Sequence, residues 1–200
     1  MFPVAKRIVD FTLSLAILAG LSLVFLILSL IIKLDSKGPV FFKQKRIGKN
    51  KKEFYILKFR TMKTDAPKEM PTHLLDKPDV YITPVGNFLR KTSLDELPQL
   101  INILKGDMSL IGPRPALWNQ YDLIAERDKY KVNGVLPGLT GLAQISGRDE
   151  LPIDLKAKID GEYVQKQNPR LDSEIFLKTV FSVLRSDGVK EGASLGNKNL

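Results

Sequence analysis

The apolar run FTLSLAILAGLSLVFLILSLII, residues 11–32, decides the fold. It holds 22 residues without a charge, and as one helix it would be about 33 Å long, enough to cross the hydrocarbon core of a bilayer. Four hydroxyls are its only polar side chains, whereas a helix on the surface of a soluble domain would carry a polar face. The run is too long for the apolar part of a signal peptide, and no small-residue cleavage site follows it. We therefore expect residues 1–34 to form a membrane-inserted helix.

Basic residues flank the run on both sides. Lys6 and Arg7 precede it, and eight lysines and arginines follow between residues 33 and 52. Basic flanks favour the cytoplasmic side of a membrane, so the larger C-terminal group predicts a cytoplasmic location for the rest of the chain. The basic N-terminus would prefer the same side, which favours a helix that enters the membrane and turns back. Gly20 and Ser22 mark the point where such a helix could bend, and a simple spanning helix stays the alternative.

Asp10 lies three and four residues after Arg7 and Lys6. This is the spacing of ion pairs on one helical face, which would lower the cost of a carboxylate at the membrane boundary. Ordinary snorkelling of long basic side chains toward the headgroups is the alternative interpretation.

Composition limits the classes of function that remain. Two hundred residues with 44% hydrophobic side chains suit one domain with a core. The net charge of +9 predicts a polyanionic partner, which could be nucleic acid, an anionic membrane surface or a phosphate-bearing substrate. The chain has no cysteine, so disulfides, thiolate nucleophiles and cysteine-ligated zinc are excluded. The single histidine, His73, lies in a polar, proline-rich stretch and is expected to be an ordinary loop residue.

Downstream of the apolar run, the pattern predicts a small α+β domain over residues 35–190. Residues 40–48 and 53–59 indicate two strands of a hairpin joined by a basic turn, and residues 63–84 indicate a long surface loop. A helix over residues 93–106 ends at Gly106. Further helices are expected within residues 119–131, 154–167 and 173–186, the last of them amphipathic and able to lie in the membrane interface. Residues 107–118 are expected to be irregular, residues 136–148 to form a glycine-rich loop with a short strand, and residues 191–200 to form a disordered tail.

The segment KTSLDELPQL, residues 91–100, places two carboxylates side by side. Ser93 and Glu96 fit a capping box, in which acids near a helix N-terminus serve only to start the helix. Pro98 fits that interpretation poorly, because it would fall in the second turn and remove a backbone hydrogen bond. Alternatively, Asp95 and Glu96 carry out chemistry, since an ionised carboxylate can bind a hard cation or attack phosphorus.

Basic residues in apolar or turn-rich surroundings favour the chemical interpretation. Arginine suits bidentate binding of phosphate, and the flanking prolines of Arg114 stiffen its backbone. Gly138, Gly141 and Gly147 would permit close approach of the backbone to a ligand. Carboxylates among several cations match the needs of metal-assisted phosphoryl transfer. The candidate phosphate-binding residues are Lys58, Arg60, Arg90, Arg114 and Arg148.

The order of several motifs resembles one known family. KRIVDF, the apolar run, GPVFFKQKRIG, FYILKFRTM, RKTSLDELPQLINILKGDMSLIGPRP and LPGLTGLAQISGR follow one another between about residues 5 and 190. Together they are similar to the bacterial sugar transferases, the monotopic polyprenol-phosphate phosphoglycosyl transferases, in their minimal catalytic form. Many relatives carry Ser-Pro at the bend of the apolar run, where this chain has Ser22-Leu23.

The resemblance implies a reaction and roles for individual residues. Asp95 matches the nucleophile that attacks the sugar-bearing phosphorus of a UDP-sugar, releases UMP and becomes an aspartyl phosphosugar. Glu96 matches the acid that assists attack by undecaprenyl phosphate. Mg²⁺ (magnesium) bound near Asp95 is implied, as are contacts of the basic candidates with the phosphates and the nucleotide.

The resemblance also implies partners and a location. It places the protein in the bacterial inner membrane, with the catalytic domain on the cytoplasmic face, and it leaves the sugar and the oligomeric state open. The basic flank predicts contact with anionic lipid. The sequence shows no nucleic-acid fold motif, so no nucleic-acid partner is expected. The alternatives are a membrane-anchored, metal-dependent phosphohydrolase and a non-enzymatic basic module that binds membranes.

Overall fold

The computed structural model describes residues 2–67, 78–147 and 151–185. These residues form a mainly helical body with two small sheets. In chain order, the elements are α1 (Phe2–Gly20), α2 (Ser22–Asp35), β1 (Phe41–Ile47), β2 (Glu53–Phe59), α3 (Pro84–Lys91), α4 (Gln99–Lys105), β3 (Ser109–Ile111), α5 (Tyr121–Asp128), β4 (Gly138–Thr140), α6 (Leu142–Ser146), α7 (Ile153–Lys166) and α8 (Pro169–Leu184). Short 3₁₀ turns occupy Lys49–Lys51, Pro78–Val80, Leu94–Glu96 and Val132–Gly134.

The apolar run forms two helices that meet at an angle. In the described part of the chain, no individual helix has the length and apolar character needed to cross a membrane, whereas α1 and α2 taken together do, with a bend of 63°. The break lies at Leu21, whose φ of −96° and ψ of 10° depart from helical values. The bend therefore falls between Gly20 and Ser22, as the sequence predicted.

The first turns of α1 pack against the rest of the body, and the predicted ion pairs of Asp10 with Lys6 and Arg7 do not form. Asp10 is buried and accepts hydrogen bonds from the Ser109 hydroxyl at 2.7 Å and the Leu110 amide at 3.2 Å. Lys6 pairs with Asp172 of α8 at 2.6 Å. The prediction was wrong because it considered only partners within the helix, whereas α1 lies against other elements.

Arg7 contacts the C-terminal end of α4, the helix that follows the acid pair. Its Nη1 donates to the Ile103 carbonyl at 2.6 Å and its Nη2 to the Leu104 carbonyl at 3.1 Å. The last carbonyls of a helix lack partners within the helix and carry a partial negative charge, so a guanidinium is favourable there. Arg7 thus fixes α1 to the C-terminus of α4.

The predicted β-hairpin is confirmed. Strands β1 and β2 pair antiparallel from Phe41 opposite Phe59 to Ile47 opposite Glu53. The basic turn between them is the 3₁₀ turn, with Asn50 at a φ of 55°. Lys58 lies in β2, and Arg60 follows immediately after the strand.

Two clusters of buried side chains form the core, and both include the N-terminal helices. The larger cluster joins β2, α4, β3, α7 and α8, with Ile17 and Leu18 of α1 packed against it. The smaller one joins Leu28 and Ile32 of α2 to Phe59 and Leu89. The apolar faces of α1 and α2 are therefore partly buried in the core of the body, while the opposite faces expose large apolar side chains such as Leu26, Leu30 and Leu34.

A short parallel pair joins two segments that the sequence left largely irregular. Strand β3 pairs with β4, so that Ser109 lies opposite Gly138 and Ile111 opposite Thr140. A Cβ atom at Gly138 would lie 2.1 Å from the Gly112 nitrogen, and one at Gly141 would lie 2.1 Å from the Gly112 oxygen. The space that these two glycines leave is thus filled by the backbone of Gly112, and not by a ligand as the sequence suggested.

Other predicted elements agree in kind but shift in their bounds. Helices α5 and α7 lie within or next to their predicted segments, and the predicted short strand is β4. Helix α8 begins earlier than predicted, since the Asn168 side chain accepts from the Leu171 amide and Pro169 suits the first helical position. Helix α6 was not predicted. His73, Arg148 and the tail 191–200 lie outside the described residues, and the division into segments 1–34 and 35–190 stays a prediction.

Candidate active site

The acid pair lies in a tight helical turn between α3 and α4, and the predicted capping box is wrong. Ser93 adopts a left-handed conformation with a φ of 56°, and its side chain makes no capping hydrogen bond. Asp95 and Glu96 follow in the 3₁₀ turn Leu94–Glu96, and Pro98 occupies the N-cap of α4. The first N–H groups of a helix have no partner within the helix, so a proline at the N-cap removes no hydrogen bond. The objection that Pro98 raised therefore no longer applies. The acids therefore do not cap α4 in the predicted way.

Lys58 and Arg114 hold the Glu96 carboxylate from two sides. The same oxygen of Glu96, Oε1, accepts from Lys58 Nζ at 2.7 Å and from Arg114 Nη2 at 2.9 Å. Lys58 Nζ also lies 3.5 Å from Asp95 Oδ2. The three side chains around Glu96 come from β2, the turn and the segment after β3, so the site forms only when these elements pack together.

The segment around Arg114 is fixed by backbone contacts of its two flanking prolines. The Pro113 carbonyl accepts from the Gly138 amide at 2.9 Å, and the Pro115 carbonyl accepts from Arg46 Nη1 at 3.0 Å. Both prolines restrict the backbone further because their φ angles are locked. The guanidinium of Arg114 is therefore positioned before any ligand binds, which reduces the entropy lost on binding.

Arg90 reaches the site through Thr61. The Nε atom of Arg90 donates to the Thr61 hydroxyl at 2.8 Å. The start of α3 lies directly against the backbone of Thr61, since its carbonyl accepts from the Thr83 amide at 3.1 Å and a Cβ atom at Gly86 would lie 1.9 Å from the Thr61 oxygen. This close approach brings Arg90, one helical turn later, near enough to Asp95 for its charge to act on the carboxylate.

The two neighbouring carboxyls have pKa values that move in opposite directions. Burial raises the pKa of Asp95 above its ordinary value, and the charge of Glu96 raises it further, although Lys58, Arg90 and Arg114 oppose both effects. Burial also acts to raise the pKa of Glu96, but Arg114 and Lys58 outweigh it, so the pKa of Glu96 lies well below its usual range. Glu96 is therefore ionised and weakly basic, whereas Asp95 is the more basic carboxyl of the pair.

The site brings together Lys58, Arg90 and Arg114 with the acid pair, but Arg60 lies elsewhere. Arg60 is 6% exposed, and its Nη2 donates to the carbonyls of Ile32 and Ser36 at the C-terminus of α2. A Cβ atom at Gly38 would lie 2.1 Å from Nη1, so the guanidinium is enclosed by protein. Arg60 therefore joins α2 to the end of β2. Arg148 lies outside the described residues, and its predicted role stays a prediction.

Sequence reasoning missed Thr61 and Gln99. Gln99 is 1% exposed, and among the described residues neither of its amide atoms has a hydrogen-bond partner. The apolar periodicity of this segment indicates a helix but does not show that one of its polar side chains is buried. Only the spacing of three and four residues from Glu96 and Asp95 could have drawn attention to it.

Asp95 is the carboxyl of the pair that could hold a magnesium ion, because Lys58 and Arg114 already bind the Glu96 carboxylate. Magnesium is usually held by one or two carboxylates together with waters and substrate phosphates. No group of three or more histidine, cysteine or acidic side chains occurs in the described ranges, so a site made only of protein ligands is not available there. The buried Asp95 carboxyl, whose pKa is raised, is the group that a cation would stabilise in its ionised form.

Comparison with known proteins places these motifs in context. The family model described as bacterial sugar transferase matches residues 1–186. The sugar transferase EpsL of Bacillus subtilis (strain 168) is 40% identical over 188 residues, which are 94% of this chain and 91% of that protein. The UDP-glucose:undecaprenyl-phosphate glucose-1-phosphate transferase of Escherichia coli (strain K12) is 39% identical over 189 residues, 88% of this chain and 39% of that protein. The undecaprenyl-phosphate galactose phosphotransferase of Salmonella typhimurium is 37% identical, over 92% of this chain and 41% of that protein.

Proposed function

Because the chain belongs to the bacterial sugar transferase family, we propose that it is a phosphoglycosyl transferase that moves a sugar 1-phosphate from a UDP-sugar to undecaprenyl phosphate and releases UMP. Two of the relatives above are named for transfer to undecaprenyl phosphate. The single observation that supports the proposal best is a buried, basic carboxyl, Asp95, beside cations that can bind phosphates.

In the first step, an oxygen of the Asp95 carboxylate attacks the phosphorus that bears the sugar. The bond between this phosphorus and the bridging oxygen of the diphosphate breaks, and UMP leaves with that oxygen and its electron pair. An acyl phosphate that joins Asp95 to the sugar phosphate remains. Lys58, Arg90 and Arg114 would neutralise the negative charge of the donor, which is the main task of a protein in phosphoryl transfer.

In the second step, a phosphate oxygen of undecaprenyl phosphate attacks the same phosphorus. The bond to Asp95 breaks, its carboxylate is restored, and the lipid carries the sugar on a diphosphate. Asp95 is thus the nucleophile in the first step and the leaving group in the second, so UMP can leave before the lipid phosphate occupies the same space. This order of events is a ping-pong mechanism.

Glu96 assists this second attack by holding cations in place. Its pKa is low, so it accepts a proton poorly, and a phosphate monoester near neutral pH is already mostly deprotonated. The contacts of Glu96 with Lys58 and Arg114 instead keep both side chains directed at the turn that carries Asp95. A magnesium ion, held by Asp95, would supply further neutralisation of phosphate charge.

We also propose that α1 and α2 form a re-entrant pair in the cytoplasmic leaflet of the inner membrane. Arg7 contacts α4 near the start of the pair, and Arg60 contacts Ser36 at its end, so both ends lie against one body. That arrangement supports a location of both ends on one side of the membrane. The exposed apolar faces between them would be buried in lipid, and the lysines that follow would favour anionic headgroups by about 1 kcal/mol each.

A panel of UDP-sugars, incubated with the protein, undecaprenyl phosphate and magnesium, tests the proposed reaction. We expect release of UMP and formation of a lipid-linked sugar diphosphate with at least one donor. Without the lipid, we expect about one UMP per enzyme molecule and an adduct of one sugar phosphate on Asp95, detected by mass spectrometry. Continuous release of free sugar phosphate without the lipid would contradict the proposal and indicate a phosphohydrolase.

A further inference from the structure

Asp95, Gln99 and Asn102 form a buried polar stripe along one side of a continuous helical segment. The backbone stays helical between the 3₁₀ turn and α4, since Leu97 has φ −51° and ψ −38° and Pro98 has φ −61° and ψ −15°. Residues 95, 99 and 102 therefore have the spacing of one helical face. The three residues are 7%, 1% and 1% exposed, so the stripe lies inside the protein.

The turns before and after Gln99 make contacts that show which face of the helix it shares. One turn toward the C-terminus, Asn102 accepts from the Leu57 amide at 2.9 Å and donates to the Tyr55 carbonyl at 2.8 Å. One turn toward the N-terminus, Lys58 bonds to Glu96 and approaches Asp95. Gln99 lies one turn from Asp95 and one turn from Asn102 on the same helical face, which Asn102 bonds to β2.

The amide of Gln99 differs from that of Asn102 in having no partner. Both Oε1 and Nε2 of Gln99 are buried and make no hydrogen bond within the described part of the chain, whereas both ends of the Asn102 amide are bonded to β2. A buried polar group without a partner costs about 1–3 kcal/mol. What sets Gln99 apart from the other buried polar groups is that both of its amide atoms lack a partner among the residues that the structure describes and that it lies one helical turn from Asp95.

We propose that the Gln99 carboxamide is a further catalytic residue, whose Nε2 donates a hydrogen bond to the phosphoryl group carried by Asp95 in the covalent intermediate. The proposal rests on the proposed function. In the free enzyme the donor is buried and unused, and the bond forms only once the phosphorus has reached Asp95. An interaction made along the reaction path but absent from the free enzyme lowers the barrier.

Single-turnover release of UMP from Gln99→Met tests the proposal. The variant removes both polar atoms and keeps the length of the side chain. With the donor identified by the panel and without lipid, we expect the rate constant of the burst to fall about 10²-fold. The melting temperature should be unchanged or higher, because an unsatisfied buried amide has been removed.

Gln144→Met is the matched control, since Gln144 also has a half-buried amide, with one end bonded to the Leu139 carbonyl and the other unpartnered among the described residues. It lies in α6, outside the acid pair and its cations, so its burst should equal that of the wild type. Gln99→Leu repeats the test with a second apolar side chain.

One result would overturn the proposal, namely a normal burst from folded Gln99→Met or Gln99→Leu. A lower melting temperature together with that normal burst would mean that the amide binds an internal water and is structural. A wild-type protein that gives no burst with any donor would instead overturn the proposed function, and this proposal with it.

Discussion

At the scale of single residues, Asp95 and Glu96 differ in pairing and in pKa because their surroundings differ. Asp95 and Glu96 are neighbours in one turn, yet only Glu96 is held at short distance by Lys58 and Arg114. Asp95 is buried and carries the raised pKa. A buried carboxylate that is incompletely paired costs stability but gains basicity, which is the property that a nucleophile needs.

Replacing Asp95 should separate activity from stability. We expect Asp95→Asn to lower the turnover of the transferase by about 10³-fold or more, because the amide cannot form the acyl phosphate. The melting temperature near neutral pH should be unchanged or higher, since the substitution removes a buried charge next to Glu96. Turnover and thermal unfolding of the same preparation provide the measurement, and substantial remaining turnover would show that another group attacks the phosphorus.

Replacing Glu96 should have the opposite effect on stability. We expect Glu96→Gln to lower the free energy of unfolding by about 1–3 kcal/mol at neutral pH, because Lys58 and Arg114 lose a shared anionic partner. The pKa of Glu96 is lowered by folding, so its contribution is present above the unfolded value of 4.5 and is lost as the pH falls toward the folded value. The difference in melting temperature between the variant and the wild type should therefore begin to shrink below about pH 4.5 and continue to shrink as the pH falls further.

The control for this pair is Glu174→Gln, which removes an exposed partner of Lys178 in α8. Exposed pairs of this kind contribute little, so we expect no measurable change at any pH. An equal loss of stability in both variants would mean that the ion pairs of Glu96 stabilise the protein no more than the exposed pair in α8 does.

At the scale of elements, α3 acts as the support of Arg90. The helix can lie against Thr61 because Gly86 has no side chain, and its N-terminus is capped by Thr83, whose hydroxyl accepts from the Gly86 amide. The position of a cation at the active site thus depends on a glycine four residues away, at a contact between two backbones.

A methyl group at this contact should disturb both the fold and the reaction. We expect Gly86→Ala to destabilise the protein by about 1–3 kcal/mol, because the new Cβ would overlap the Thr61 carbonyl, and to lower turnover by displacing Arg90. Thermal unfolding and UMP release measure the two effects. Gly134→Ala is the control, since a Cβ there would meet nothing within 4 Å, and an equal response of both variants would contradict the role of Gly86.

At the scale of the whole molecule, the N-terminal helices and the remaining elements form one body. The two core clusters each include side chains from both parts, and Lys6, Arg7 and Asp10 contact three different elements. This packing supports the proposal that both ends of the helix pair lie on the cytoplasmic side.

Cysteine labelling tests that topology cleanly because the chain has no cysteine of its own. We expect Pro3→Cys and Lys37→Cys to react with an impermeant maleimide only from the cytoplasmic side of membrane vesicles. Gly20→Cys, at the bend, should be protected from both sides, and a Cβ at this position meets nothing within 4 Å. Labelling of residues 3 and 37 from opposite sides would show a spanning helix instead.

Features of the fold that depend on neighbouring residues could be predicted from the sequence, whereas contacts between distant segments could not. Local signals predicted the hairpin, the bend near Gly20 and the end of α4 at Gly106, because each depends on a few adjacent residues. The partners of Lys6, Arg7, Asp10 and Arg60 could not be predicted, since they lie more than twenty residues away along the chain.

The same distinction applies to the site. The motifs predicted five basic residues as a set, and the structure groups three of them, Lys58, Arg90 and Arg114, around the acid pair. Arg60 instead contacts the end of α2, and Arg148 lies outside the described residues. The opposite pKa shifts of Asp95 and Glu96 could not be predicted, because they arise from packing between β2, the turn and the segment after β3.

The contact of Arg7 with the last carbonyls of α4 has a practical consequence for preparing this enzyme. A truncated fragment that lacks the first helices would lose this contact and would expose the part of the larger core cluster where Ile17 and Leu18 now pack. Such a fragment is a poor starting point for crystallisation or inhibitor screening. Purification should keep the chain entire in nanodiscs or a mild detergent.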